Sequence, residues 1–278
     1  MQSRALIVRH NTLLLDFLAE ALGLSRKRAK NLIDQRIVFV NNARVWMARH
    51  MLERGDRVEV HIAAPAAPKA APAAPRRIPI LYKDQDYLVA DKPAGLLSNG
   101  PASVEELLRK ELAEPALAAV HRLDRDTSGC LLFARNAEAG RNIITLFYEK
   151  AVTKVYQAIA MGRVSSGVHE INAPVDGKPA VTKVTVVRSN TLATHLKLLI
   201  ETGRTHQIRK HMLRIRHPLA GDKVYATGAV MVEAFRRVPR QMLHAASISF
   251  KHPVNGTLIS AHAPLPRDFV QCLAALRL

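Results

Sequence analysis

Cysteine occurs only twice in the 278 residues, at Cys130 and Cys272. The two are far apart and in neither a CxxC nor a metal-ligand spacing, which excludes a disulfide framework and a paired-cysteine zinc site. Both are expected as buried, reduced thiols, and the compartment as cytoplasmic. No apolar run approaches the roughly 18–20 residues that a membrane-spanning helix needs. The first stretch, MQSRALIVRHNTLLLDFLAE, is broken by Arg4, Arg9, His10 and Asp16 and has no small-residue cleavage site, so it does not read as a signal peptide. There is no P-loop, no GxGxxG opening a helix and no HExxH, and neither metal nor cofactor is expected. Aromatic residues are scarce at 5%, and acidic ones are outnumbered, 23 against 41 Lys and Arg, for a formal charge of +18. That excess points to a polyanionic partner rather than a membrane.

What is present organises the chain in three parts. Residues 63–75, AAPAAPKAAPAAP, alternate Ala and Pro and can sustain neither a helix interior nor a sheet ladder. The segment 63–77 is therefore read as a semi-rigid linker between a small domain, 1–62, and a large one, 78–278. Both are basic; residues 1–62 alone hold 11 Lys/Arg against 6 Asp/Glu.

In the small domain Leu14, Phe17, Leu18, Ala21 and Leu22 share one face at helical spacing, and Gly23 ends that helix. Ser25 is a candidate N-cap for a second helix with Ala29, Leu32 and Ile33 inside. Arg26, Lys27, Arg28 and Lys30 crowd its first turns, the wrong end of the helix dipole for cations, which suits a polyanionic partner better than helix stability. IVFVNNARV reads as a hairpin and RGDRVEVHI as a turn feeding a strand. This order resembles the S-four-type RNA-binding domain over roughly residues 12–62, through Leu15, Leu24-Ser25-Arg26, Ile33, Val38, Val40-Asn41 and Gly55-Asp56. It departs at Arg36 and Asn42, where the pattern is different.

The large domain carries the chemistry. In HRLDRDTSGCLLFAR, Cys130–Ala134 is an apolar run expected as a buried strand, and Asp126-Thr127-Ser128-Gly129 is a turn before it. An extended His121–Asp124 would put Arg122 and Asp124 on one side with Leu123 packed behind. For HRLD alone, a structural Arg–Asp pair is the simpler reading. Three other segments accompany it. YLVADKPAG ends in a turn that projects Lys92. KAVTKVYQAIAMG sets Tyr156 in an alternating strand. LKLLIETGRTHQIRKHMLRIRHPLAGD reads as strand, Thr202-Gly203 turn and a helix starting near Thr205, with an apolar stripe of Ile208, Met212 and Ile215. This last stretch, with Arg204, His206, Arg209, Lys210 and His211, is the most cation-rich in the chain; His206 and His211 are read as RNA-facing or structural.

Together KPAG, HRLDRDTSG, the K-x-Y of Lys154 and Tyr156, GKPAVT, TGRTHQIR, HPLAGD and LHA resemble the RluA family of RNA pseudouridine synthases over residues 78–270. Their order and spacing make the signal specific. Family members commonly have a His-containing stretch after KPAG, where this chain has Leu97-Ser98-Asn99-Gly100. The resemblance implies a mixed α+β fold with a largely antiparallel central sheet and flanking helices, acting as a monomer on structured RNA, with ribosomal RNA favoured over transfer RNA. It implies Asp124 as the catalytic carboxylate, Arg209 as its cation, Tyr156 stacked on the uracil, and Arg122 filling the space of an extruded base. Arg204, His206, Lys92 and the cations of the small domain are expected to bind RNA.

Two other readings compete. One is an RNA-binding protein without catalysis, disfavoured because Asp124, Tyr156 and Arg209 are all intact. The other is a hydrolase with paired carboxylates, for which Asp126 is the only near partner and is more simply a turn former.

Overall fold

Alternating apolar residues and strong turn signals produce a chain dominated by strands. The computed structural model describes residues 2–34, 38–41, 43–45, 47–48, 50–62, 77–226 and 233–278. Arg36, Asn42 and the Ala/Pro-rich segment lie outside the described residues. The chain divides into two compact units, Met1–Ala71 and Pro72–Leu278.

The first unit runs β1 (Gln2–Ile7), β2 (Thr12–Leu13), α1 (Leu14–Ala21), α2 (Arg26–Asp34), β3 (Val38–Val40), β4 (Ala43–Arg44), β5 (Met51–Leu52) and β6 (Arg57–Ile62). Gly23, at φ +61°, turns the chain out of α1. Ser25 Oγ accepts the Arg28 amide at 3.3 Å at the head of α2. Leu14, Leu18, Ala29 and Ile33 pack on Val38, Val58 and Val60. The Val40-Asn41 and Gly55-Asp56 motifs hold each other: Asn41 Nδ2 donates to Asp56 at 2.8 Å, while Asn41 Oδ1 accepts the Arg57 amide at 2.9 Å. Strand β1 was not expected from its sequence. It is held by antiparallel pairing along the whole of β6, from Gln2↔Ile62 to Ile7↔Arg57.

The second unit continues β7 (Ile80–Lys83), β8 (Tyr87–Lys92), α3 (Val104–Leu112), β9 (Ala118–Ala119), β10 (Ser128–Ala134), α4 (Ala137–Tyr148), β11 (Thr153–Met161), β12 (Glu170–Asn172), β13 (Val181–Ser189), β14 (Ala193–Ile200), α5 (Gln207–Arg214), α6 (Glu233–Arg236), β15 (Leu243–Lys251), β16 (Leu258–His262) and α7 (Arg267–Ala275). Ten strands form one sheet whose main path is β12-β13-β14-β11-β15-β10-β8-β7, with β16 beside β15 and β9 beside β10. It is the mixed, largely antiparallel sheet that the resemblance implied; its parallel pair is β10–β15.

Period-two alternation sends Leu88, Ala90, Leu131, Phe133, Tyr156 and Ala158 to one face, covered by α3 and α5. Tyr87, Val89, Cys130, Leu132, Ile248 and Phe250 go to the other, with Ala139 and Ile143 of α4. Every residue of β10 is buried, so this strand is packed on both faces. Each such Leu or Phe contributes roughly 1.5–3 kcal/mol relative to exposure. Gly129 of β10 has φ +109°, and a Cβ there would sit 2.2 Å from the Ala245 carbonyl oxygen of β15. Only glycine permits so close an approach of two backbones.

Candidate active site

His121–Asp124 enters β10 from a loop, and its backbone is fixed from both sides. Leu123, buried behind Asp124, donates its amide to Ser98 Oγ at 2.9 Å, and Ser98 Oγ donates back to the Leu123 carbonyl at 3.0 Å. On the other side the Arg125 carbonyl accepts from Lys92 Nζ and from the Gly95 amide, both at 2.9 Å. The Asp124 carbonyl then closes a turn by accepting the Thr127 amide at 3.0 Å. The KPAG segment and the loop after it thus hold the residues flanking Asp124.

Its side chain, 21% exposed, accepts a bond from Arg209 Nη1 at 3.1 Å. Arg209 comes from α5, which begins at Gln207, slightly later than expected, with His206 in the left-handed region at φ 56°. The rest of the Arg209 guanidinium is committed elsewhere. Nε and Nη2 donate to the two oxygens of fully buried Asp222, at 2.7 and 2.9 Å, and the Tyr225 ring lies 5.0 Å away. Asp222 also accepts the Val224 and Tyr225 amides at 3.0 Å. Burial pushes the Asp222 carboxyl up, but Arg209 and these amides outweigh it and hold it below its ordinary value. For Arg209 burial likewise works against the charge, and the two carboxylates more than restore it. Helix α5 is seated on β13 by Gln207, which donates to the Val181 carbonyl at 2.9 Å, and by His211, bonded to Thr182 and the Ala173 carbonyl. His211 is therefore a buried structural residue, and the GKPAVT stretch supplies its seat.

Tyr156, on β11, lines one cleft with Asp124, Arg209, Arg122, Arg204 and His206. Its hydroxyl has no hydrogen-bond partner among the described residues. Burial first, then the Asp124 charge, push that hydroxyl well above the usual tyrosine range, so it stays protonated. His206 Nε2 lies 3.7 Å from Asp124, and its Nδ1 is 3.0 Å from the Tyr225 hydroxyl. Burial lowers its pKa, so it faces Asp124 as a neutral imidazole at neutral pH. Arg122 is exposed at the mouth. A carboxylate held on a guanidinium beside a protonated tyrosine ring can attack, or take a proton from, a planar polar substrate.

One expectation is corrected. Lys92 does not project toward RNA: it is fully buried, donating to the Pro93 and Arg125 carbonyls, and burial lowers its pKa to about 7. The alternation of β8 carries the signal, since Leu88 and Ala90 point into the same core. Arg26, Lys27, Arg28 and Lys30 lie exposed on α2, Arg26 paired with Asp16 at 2.9 Å and Lys30 with Asp34 at 2.8 Å. Sequence reasoning missed Asp222, Ser98, Tyr225 and Arg240. The last, buried, donates to the Asp126 carbonyl at 2.9 Å and pairs with Asp268 at 2.7 Å. Asp222 had a signal in HPLAGD, but its partner is identifiable only in three dimensions. Among the described residues no cluster of His, Cys, Asp and Glu has the arrangement of a metal site.

Residues 86–214 match the family model described as RNA pseudouridylate synthase. The chain is 33% identical over 286 aligned positions to the ribosomal large subunit pseudouridine synthase D of Haemophilus ducreyi, covering 91% of this chain and 87% of that protein. It is 35% identical over 229 positions to the enzyme of the same name from Pseudomonas aeruginosa, covering 71% of each. Among solved structures, human RNA pseudouridylate synthase domain containing 4 superposes with a TM-score of 0.60 at 24% identity, covering 72% of this chain and 93% of that one, a likeness of fold.

Proposed function

The chain belongs to the RluA-type RNA pseudouridine synthases, and from that premise we propose that it isomerises specific uridines of large-subunit ribosomal RNA to pseudouridine. The observation that carries the reading is the meeting of Asp124, Arg209 and Tyr156 in one cleft. The reaction breaks the bond between sugar C1′ and uracil N1, turns the base, and forms a bond from C1′ to C5. The proton on C5 departs and N1 gains one, so atoms and electrons balance without redox equivalents or a phosphate donor.

Asp124 acts on the sugar, as nucleophile or as base, with Arg209 fixing its carboxylate. Tyr156 is the wall on which the uracil stacks and turns. Handling the C5 proton is the weaker of its two roles, since burial and the Asp124 charge keep its hydroxyl protonated. Extruding a paired base from folded RNA costs a few kcal/mol. Arg122, at the cleft mouth, fills the vacated space with a planar cation that can stack and bond phosphate together. Arg204 and His206 contact the RNA beside it.

The first unit serves as an S-four-type RNA-binding domain, joined by residues 63–77 and presenting Arg26, Lys27, Arg28 and Lys30. We read the chain as acting as a monomer. No described helix is long and apolar enough to cross a membrane, and a ribosomal RNA target sets the work in the cytoplasm.

The test is tritium release from RNA labelled at uracil C5. Wild type should release it from ribosomal RNA, and Asp124→Asn should abolish release while RNA binding survives. No release from any cellular RNA would refute the enzyme reading. Pseudouridine mapping in a deletion strain identifies the target; a site missing from transfer RNA instead would overturn the preference for ribosomal RNA.

A further inference from the structure

Strand β11 brings Tyr156 into the cleft and, two residues earlier on the same face, Lys154. Such residues lie roughly 6.5 Å apart. Lys154 is only 7% exposed, yet its ammonium has no hydrogen bond or ion pair among the described residues. Its ammonium rests 5.3 Å from the centre of the Phe147 ring. The imidazole beside it, His121, is neutral, its pKa lowered by burial to about 4. Glu201, which lines the same pocket, is taken by Lys183 at 3.0 Å and Lys150 at 3.6 Å. Burial lowers Lys154 to about 8, which leaves it mostly charged at neutral pH. A half-desolvated cation that meets no counter-charge in the protein and opens only on a pocket is suited to receive an anion there.

The ammonium opens on a pocket of about 450 Å³ that shares Arg122, Tyr156 and Arg204 with the catalytic cleft. On its rim the last turns of α4 present Ile144 and Tyr148, the latter 85% exposed. Cations on one wall and an aromatic platform on the other match the two halves of a nucleotide.

We propose that this pocket is a subsite for the nucleotide next to the target uridine, its phosphate on Lys154, Arg122 and Arg204 and its unstacked base on Tyr148 and Ile144. The inference rests on reading the cleft as the uridine site: the two pockets share Arg122, Tyr156 and Arg204, so a strand leaving an extruded uridine on this side passes from one into the other. A free anion would use the cations and leave the Tyr148 face idle.

The test uses the full chain carrying Asp124→Asn and a short fluorescein-labelled oligouridylate, followed by anisotropy over a KCl series. Each phosphate neutralised on a single strand contributes about 0.7 to the slope of log K against log[salt]. Lys154→Met should lower the slope by about that amount, whereas Lys154→Arg should keep it. Tyr148→Ala, a surface change that leaves the fold intact, should weaken binding about tenfold at unchanged slope. An abasic residue in place of the flanking base should cause the same loss, and Tyr148→Ala should add nothing to it. An unchanged slope for folded Lys154→Met, or losses from Tyr148→Ala and the abasic residue that simply add, would overturn the proposal. These are binding measurements, so they stand apart from tritium release: these shifts in the Asp124→Asn chain, with no release by wild type, would retain the subsite and lose the isomerase reading.

Discussion

Replacing Asp222 with Asn should be the most damaging single charge removal around the cleft, although Asp124 is the carboxylate we propose as reactive. Its side chain is fully buried and takes two charge-assisted bonds from Arg209, at 2.7 and 2.9 Å. Asn is the same size, and its oxygen can still receive the Val224 and Tyr225 amides. Its NH2 group, however, faces the guanidinium donor to donor. Bonds to charged groups are worth about 1.5–3 kcal/mol each, and removing one partner of a buried pair costs about 3–5 kcal/mol. For a domain of this size that is a fall in melting temperature of about 6–20 °C. The loss should appear in urea unfolding as a lower midpoint at unchanged m. In tritium release kcat should fall more than KM changes, since Arg209 no longer holds Asp124 from a fixed base. Asp124→Asn, at a partly exposed carboxylate with one Arg209 bond, should destabilise far less. The sign with pH follows from the depressed Asp222 pKa: its contribution is fully present above the unfolded value of about 3.9 and is lost as pH falls through the lower folded value. If Asp222→Asn melts within about 2 °C of wild type, or Asp124→Asn is the more destabilising, the anchoring account is wrong.

Burial lowers Lys92 to about 7 and Lys154 to about 8, against roughly 10.4 in the unfolded chain, which therefore holds more protons between these values. Stability should rise with pH from about 7 to about 8.5, above which the buried Cys130 and Cys272 thiols, raised to about 12 and about 11, pull the other way; Lys92→Met should flatten that rise, and urea midpoints that stay flat for wild type between pH 7 and about 8.5 would contradict it. Ser98→Ala leaves the Leu123 amide and carbonyl without their partner, about 1–3 kcal/mol for each buried group, and should lower kcat more than it raises KM. Arg122→Ala should keep stability within about 0.5 kcal/mol. It should slow turnover of a folded RNA fragment much more than that of an unstructured strand, because only the former has a base to extrude; equal losses on both would remove Arg122 from that role.

Local patterns disclosed most elements and the segment that carries Asp124. The strand at Cys130–Ala134, the alternating strand of Tyr156 and the helix of Arg209 follow from periodicity and turn residues, which act over short range. Lys92 was misread because a Lys before Pro-Ala-Gly looks like the tip of a turn, while its place in the alternation of Leu88 and Ala90 decides its direction. The pairing of Asp222 with Arg209, and of Ser98 with Leu123 across 25 positions, depends on which loops the sheet brings together. No local signal specifies that. Strand β1 belongs to the same class, since its partner β6 lies at the far end of its unit.

The parallel contact between β10 and β15 spans only Ser128↔His244 and Gly129↔Ala245, yet it joins two half-sheets, and each brings part of the chemistry. Asp124 arrives with the half that holds β8 and β10; Tyr156 and Arg209 arrive with the half that holds β11 and β14. Alternate residues along this seam cross it in turn: Asp124 to Arg209, the Asp126 carbonyl to Arg240, Ser128 to His244, and Cys130 to the Ala246 carbonyl. Asp124, the carboxylate we propose as reactive, is thus the outermost stitch of a row that closes the sheet. Neither half-sheet alone contains a site, and any slip of one against the other would be felt first as a change in the distance between Asp124 and Arg209.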